Sequence, residues 1–211
     1  MRQLFTTSIA VFALAFAIAP AISPSSVNAA APEVGKAAPD FETTDINGNP
    51  FKLSDHKGDI VVLEWTNAEC PFVVKHYDTG NMQKVQEETI GKGVKWVSIN
   101  SSGEGRQGHF SAEEAAKVLE DQGATVSAKI LDPSGEIGKL YDAKTTPHMF
   151  VINADGNIAY AGAIDSNSSP SPKTVEGADN YILAAVDELV AGKEVTTAQT
   201  KPYGCSVKYA R

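Results

Sequence analysis

Two prolines placed against apolar runs constrain this chain more than any other feature. Cys70–Pro71 follows the run Ile60-Val61-Val62-Leu63, and Thr146–Pro147 leads into a second run, Met149-Phe150-Val151-Ile152. The first run is β-branched and is interrupted, up to Trp65, only by Glu64, so Ile60–Trp65 reads as a buried strand. A cysteine just after a strand and at a helix start gains from the unpaired N–H groups and the positive dipole end there. Both favour thiolate over thiol. Pro71 suits the first helical turn, where no N–H is required. A proline immediately ahead of a core strand cannot join the ladder and reads as a tight turn. Together they predict a nucleophilic sulfur on an α/β scaffold, with a proline loop across from it.

The remaining pattern fills in that scaffold. Phe41 and Phe51 flank Asn47-Gly48, a hairpin signal, and Leu53–His56 reads as a short helical turn. A helix is expected from about Pro71 to Glu88, then a strand over Val94–Asn100. The Gly/Ser-rich loop Asn100–Phe110 leads to a capping box, Ser111 to Glu114, opening a helix that ends near Gly123. Lys129–Leu131 is a short strand and Gly135–Tyr141 a short helix. Met149–Ile152 and Ile158–Gly162 form a hairpin across Asp155-Gly156. After a Ser/Pro-rich loop, Asp165–Lys173, apolar residues at helical spacing span Gly177–Ala191, and a tail follows. Right-handed crossovers between parallel strands put Cys70 and the Asn100–Phe110 loop at one sheet edge, the carboxyl end where ligands bind.

The first 29 residues read as an export leader. Arg2 is the basic end, Ile9–Ala19 the apolar stretch, Pro20 its break and Val27-Asn28-Ala29 the cleavage site. Leu4–Ile22 is barely long enough to span a bilayer and contains Thr6, Thr7, Ser8 and Pro20. Cleavage of 29 residues from 211 leaves 182, residues 30–211, which suits one domain with a tail over 192–211. The expected destination is the periplasm or secretion, with no stable membrane association after cleavage. The formal charge of −8, or −9 without Arg2, argues against nucleic acid and anionic membranes as partners. Two cysteines and four histidines are scattered without ligand spacing, so no metal is expected, and no organic cofactor is implied. In an oxidising compartment the two cysteines are a structural disulfide or a redox pair.

The segments LEWTNAECPFVVKHY, ILDPSGEIGKLYDAKTTPHMFVINADGNIAYAGAID and TKPYGCSVKY resemble the thioredoxin-fold redoxin group. Within it they are similar to peroxiredoxin-like proteins related to alkyl hydroperoxide reductase and the thiol-specific antioxidants. The resemblance runs from about Val34 to Arg211. It implies a thioredoxin-like α/β domain, a central mixed β-sheet flanked by helices, with a C-terminal extension. It also implies an exported thiol oxidoreductase in which the Cys70 thiolate reduces hydroperoxides. Thiol–disulfide exchange on protein disulfides is a second expectation, and a non-catalytic binding module stapled by Cys70–Cys205 a third. The external thiol reductant is not identified by the sequence.

Each candidate residue carries a stated role. Val73 stands where thioredoxins place their second cysteine, so a resolving thiol must come from elsewhere, and Cys205 is the remaining cysteine. By resemblance, Cys205 folds back to resolve Cys70; a permanent staple and two unpaired thiols are the alternatives. Glu64 matches the buried acid of thioredoxins, and desolvation there would raise its pKa toward neutrality, fit for acid–base work. Thr146–Pro147 matches the thioredoxin cis-proline, a flat edge able to hold an extended substrate. Peroxiredoxins resemble P-x-x-x-T/S-x-x-C, whereas this chain has Leu63 and Asn67 at those positions. Arg106, with Gln107 and His109 beside it, could supply the missing charge from the neighbouring loop. Lys75 and His76 are expected in solvent, off the Cys70 face, and Trp65 and Phe72 in packing.

Overall fold

The computed structural model describes residues 32–211. The leader expected over residues 1–29 lies outside the described residues. No described helix is long and apolar enough to cross a membrane. In chain order the elements are β1 (Glu42–Thr44), β2 (Pro50–Lys52), a 3-10 turn (Leu53–His56), β3 (Val61–Trp65), α1 (Pro71–Asp78), α2 (Asn81–Ile90) and β4 (Lys95–Asn100). There follow α3 (Ala112–Asp121), β5 (Ala128–Leu131), α4 (Glu136–Leu140), β6 (Thr145–Thr146), β7 (His148–Ile152) and β8 (Ile158–Gly162). A second 3-10 turn (Pro172–Thr174), α5 (Tyr181–Val190) and β9 (Cys205–Ser206) complete the chain.

The main sheet has the order β5-β4-β3-β7-β8, with β3, β4 and β5 parallel and β7 and β8 antiparallel. This is the mixed, thioredoxin-like sheet that the sequence predicts. Alternation along β3 sends its side chains to two cores. Val61, Leu63 and Trp65 pack with Phe41, Phe51, Tyr141 and Phe150 on one face. Val62 packs on the other, against Val73 and Tyr77 of α1, Met82 of α2 and Ile182 and Val186 of α5. Each fully buried apolar side chain of this size contributes about 1.5–3 kcal/mol of transfer free energy. Glu64 lies on the second face, in register with Ser98 of β4 and Met149 of β7.

Local chemistry sets the boundaries. The expected single helix over 71–88 is two helices, because Gly80 at φ +74° ends the first path and restarts the chain at Asn81. The last helix starts at Tyr181, not near Gly177, because the Asn180 side chain accepts from the N–H groups of Ile182 and Leu183. The capping box at Ser111 and Glu114 forms as expected.

The tail is seated along its length. Thr200 N donates to Ala161 O at 3.1 Å, Ala161 N donates to Ala198 O at 3.1 Å, and the Thr200 hydroxyl accepts from Ala163 N at 2.9 Å. Gly162 can hold no side chain there, since a Cβ would meet the Thr200 carbonyl at 2.6 Å. Farther on, Lys208 accepts from Gly103 N at 2.8 Å, and Tyr209 donates to Ala143 O at 2.7 Å while its ring covers Gly138. Between these points β9 pairs antiparallel with β6.

Candidate active site

The turn after β3 delivers Cys70 to the start of α1. The Asn67 side chain accepts from Glu69 N at 2.9 Å, and Cys70 N donates to Asn67 O at 2.9 Å. Cys70 is then the helix N-cap, with Pro71 behind it in the first turn. The cysteine is 1% exposed, and its Sγ donates to the Thr146 carbonyl at 3.0 Å. Thr146 precedes Pro147 through a cis peptide bond, as the sequence predicts. The register of β6 and β9 sets Cys205 opposite Thr146, so the tail brings its cysteine to the Cys70 sulfur. Gly204 presses on the Thr146 backbone, where a Cβ would meet the carbonyl carbon at 2.7 Å. Both cysteines are free thiols.

Their environments push the two thiols apart. Burial alone would raise Cys70, but the Cys205 thiol, Thr146 and the backbone N–H groups of Cys205 and Phe72 all favour its charged form. The result lies below the ordinary thiol value. The Thr146 hydroxyl is buried and makes no hydrogen bond among the described residues. Cys205 is pushed up to about 11, by burial first, then by its hydrogen bond to Cys70 and by the charge there. Of the two thiols, Cys70 is therefore the one that ionises first.

Glu64 is fully buried, as expected, and desolvation raises its pKa against the pull of Trp96, Lys129 and Tyr77. Trp96 Nε1 donates to Oε2 at 2.9 Å and the Tyr77 hydroxyl to Oε1 at 3.3 Å. Tyr77 stands two turns beyond Cys70 on the same helix. Lys129 completes this group and was not legible in the sequence. The strand register aligns Glu64, Ser98 and Lys129, and the buried Lys129 Nζ donates to Ser98 Oγ at 3.0 Å. Burial lowers Lys129 to about 8 while Glu64 pulls it back up.

The remaining candidates divide. Asn67 lies at the site but serves as a brace, with Nδ2 on Gln107 O at 3.2 Å and no room for a Cβ on Gly108 beside it. Gln107 Nε2 donates to Glu69 O at 3.2 Å, and His109 Nδ1 meets Ser102 O at the same distance. Arg106 lines a surface groove with Glu104, Pro133 and Arg211, and its guanidinium makes no hydrogen bond or ion pair among the described residues. The placement of Lys75 and His76 in solvent is corrected by the structure, where both are buried. The Asp165–Lys173 loop and the tail close over this side of α1. Lys75 Nζ donates to the carbonyls of Asn167 and Ser169, each at 2.8 Å, and lies 4.0 Å from Asp165. His76 receives Asn81 on Nδ1 at 2.8 Å and faces Tyr203 on Nε2 at 3.2 Å; burial and Lys75 hold it down to about 3. Trp65 packs in the first core, and Phe72 against the tail ring of Tyr203. No cluster with metal-ligating composition occurs among the described residues.

Residues 34–161 match the AhpC/TSA family. The chain is 28% identical over 126 residues to the thiol-disulfide oxidoreductase ResA of Bacillus thuringiensis subsp. konkukian, covering 60% of this chain and 67% of ResA. It is 27% identical over 154 residues to the thiol:disulfide interchange protein DsbE of Vibrio cholerae serotype O1, covering 72% and 76%. The crystal structure of an uncharacterized conserved protein from Geobacillus kaustophilus superposes with a TM-score of 0.71 at 31% identity, over 84% of this chain and 93% of that one.

Proposed function

Given that the chain belongs to the AhpC/TSA family, we propose that it is a thiol–disulfide oxidoreductase with Cys70 as nucleophile and Cys205 as resolving thiol. The β6–β9 pairing, which seats Cys205 against the lowered-pKa Cys70, carries this reading. The Cys70 thiolate attacks one sulfur of a substrate disulfide, forms a mixed disulfide and releases the other sulfur as a thiolate, which takes up a proton. Cys205 then attacks Cys70 Sγ, closes the Cys70–Cys205 disulfide and releases the second substrate sulfur, which leaves as a thiolate and takes up the proton that Cys205 gives up. The substrate gains two electrons and the cysteine pair loses two. Return to the reduced state requires an external dithiol, which is oxidised in turn. We assign Glu64 the proton-holding role: it is buried beneath the same helix, with its carboxyl raised toward neutral pH.

Peroxide is the weaker oxidant in this reading. Cleavage of an O–O bond by a thiolate calls for donors arrayed around the attacked oxygens. Leu63 and Asn67 occupy the peroxiredoxin proline and hydroxyl positions, Asn67 is committed to the neighbouring loop, and Arg106 lines a surface groove. The expected partners are a protein bearing a disulfide and an external dithiol, met outside the cytoplasm if the 1–29 leader directs export. No nucleic acid and no stable membrane contact are expected.

The experiment gives reduced protein equal concentrations of a disulfide-bonded peptide or of hydrogen peroxide and follows thiol loss. The disulfide is expected to react at least about tenfold faster. Faster reaction with peroxide would replace this reading by peroxide reduction.

A further inference from the structure

The tail meets α1 through one side chain placed two residues before Cys205. The Tyr203 hydroxyl donates to Asp165 Oδ1 and lies 3.2 Å from His76 Nε2. Its ring sits 6.1 Å from that of Phe72, centroid to centroid, with the Lys75 ammonium 4.9 Å from its centre. Phe72, Lys75 and His76 all belong to α1, the helix that Cys70 caps.

The receptor for Tyr203 is built without it. Lys75 is held by two loop carbonyls, His76 by Asn81, and Asp165 by Asn167 N at 3.0 Å. A charged, hydrogen-bonded cradle of this kind is rigid only when all its groups are satisfied. The path from Cys70 to Cys205 therefore runs through one helix, one tyrosine and Gly204.

We propose that Tyr203 is a positioning residue for the thiol chemistry, fixing the tail on α1 so that Cys205 is held against Cys70. This deepens the exchange reading and rests on it. With Tyr203 in place, closing the disulfide is an intramolecular step at high effective concentration. Without it, Gly204 and the chain around it lose their anchor on the site's own helix. The β6–β9 pairing holds the Cys205 backbone to Thr146 of the proline loop, and Thr200 and Tyr209 hold the flanks, so Tyr203 is the contact that ties this segment to α1.

The test equilibrates the full chain in glutathione buffers. Reduced protein plus one oxidised glutathione gives the Cys70–Cys205 disulfide plus two reduced glutathiones, and the equilibrium constant is the effective concentration of the pair. Wild type is compared with Tyr203→Ala, Tyr203→Phe and Tyr209→Phe, the last losing a tail bond beyond Cys205. Tyr203→Ala is expected to lower the constant about tenfold or more, Tyr203→Phe by a smaller factor, and Tyr209→Phe by less than about twofold. If Tyr203→Ala does not fold, Tyr203→Phe against Tyr209→Phe decides, since both lose one hydroxyl from the same tail. Equal constants in wild type and the Tyr203 variants, with the disulfide forming in each, overturn the positioning role alone. A wild type that forms no Cys70–Cys205 disulfide at any glutathione ratio overturns the exchange reading and this role with it.

Discussion

Cys70→Ser is expected to abolish reduction of a disulfide peptide, with a rate loss of more than about a thousandfold, because a serine hydroxyl has no accessible anionic form at neutral pH. Cys205→Ser is expected to behave differently. Its Cys70 still attacks, because the nucleophile, its place at the start of α1 and its contact with Thr146 are unchanged. The mixed disulfide between Cys70 and the peptide then has no internal thiol to resolve it and accumulates. Non-reducing electrophoresis or intact mass reads the adduct directly. Full turnover by Cys205→Ser would remove the resolving role, and full turnover by Cys70→Ser would remove the nucleophile.

Glu64→Leu carries the largest expected change in stability. It removes the carboxyl that pulls the pKa of buried Lys129 back up, and it leaves Trp96 Nε1 and the Tyr77 hydroxyl without their acceptor. Leaving two buried donors without their acceptor costs about 1–3 kcal/mol each. The pH dependence has a definite sign. Lys129 titrates near 8 in the folded chain and near its ordinary value when unfolded. Between those values the unfolded state holds more protons, so stability rises with pH. In Glu64→Leu the lysine is lowered further, the window opens at lower pH, and the variant regains part of its deficit between pH 7 and about 9.5. Above pH 10 the buried tyrosines Tyr141 and Tyr160, raised by burial, oppose the trend, since the unfolded chain ionises first. Urea midpoints in reductant at the two pH values check this. A deficit that grows with pH would show that Lys129 is not the group left stranded.

The parts of this account legible in sequence are those written in a few adjacent residues. Cys70–Pro71, Thr146–Pro147, Asn47-Gly48 and the Ser111 capping box each specify their own geometry, and each lies where expected. Glu64 was legible because a lone acid interrupts an apolar strand. Lys129 was hidden because its strand is four residues long, and its burial follows from register with Ser98 and Glu64. Lys75 and His76 were misplaced for a related reason. A helix surface reads as solvated until a distant loop and tail cover it, and the covering groups lie about 90 to 130 residues away. Arg106 is suggested by the sequence only through its place in the loop beside the site, and it lines a surface groove. The tail looked like an appendage; its seat on Gly162, Gly103 and Gly138 depends on glycines whose purpose appears only with the neighbour that presses on them.

Intact mass with thiol alkylation tests most directly whether Cys70 and Cys205 are a working couple. Reduced protein receives one equivalent of a disulfide-bonded peptide, is quenched after seconds, alkylated and weighed. The account predicts that both thiols disappear together as an internal Cys70–Cys205 link, with the peptide released in its reduced form. Two alkylated cysteines beside an unreacted peptide disulfide would contradict it.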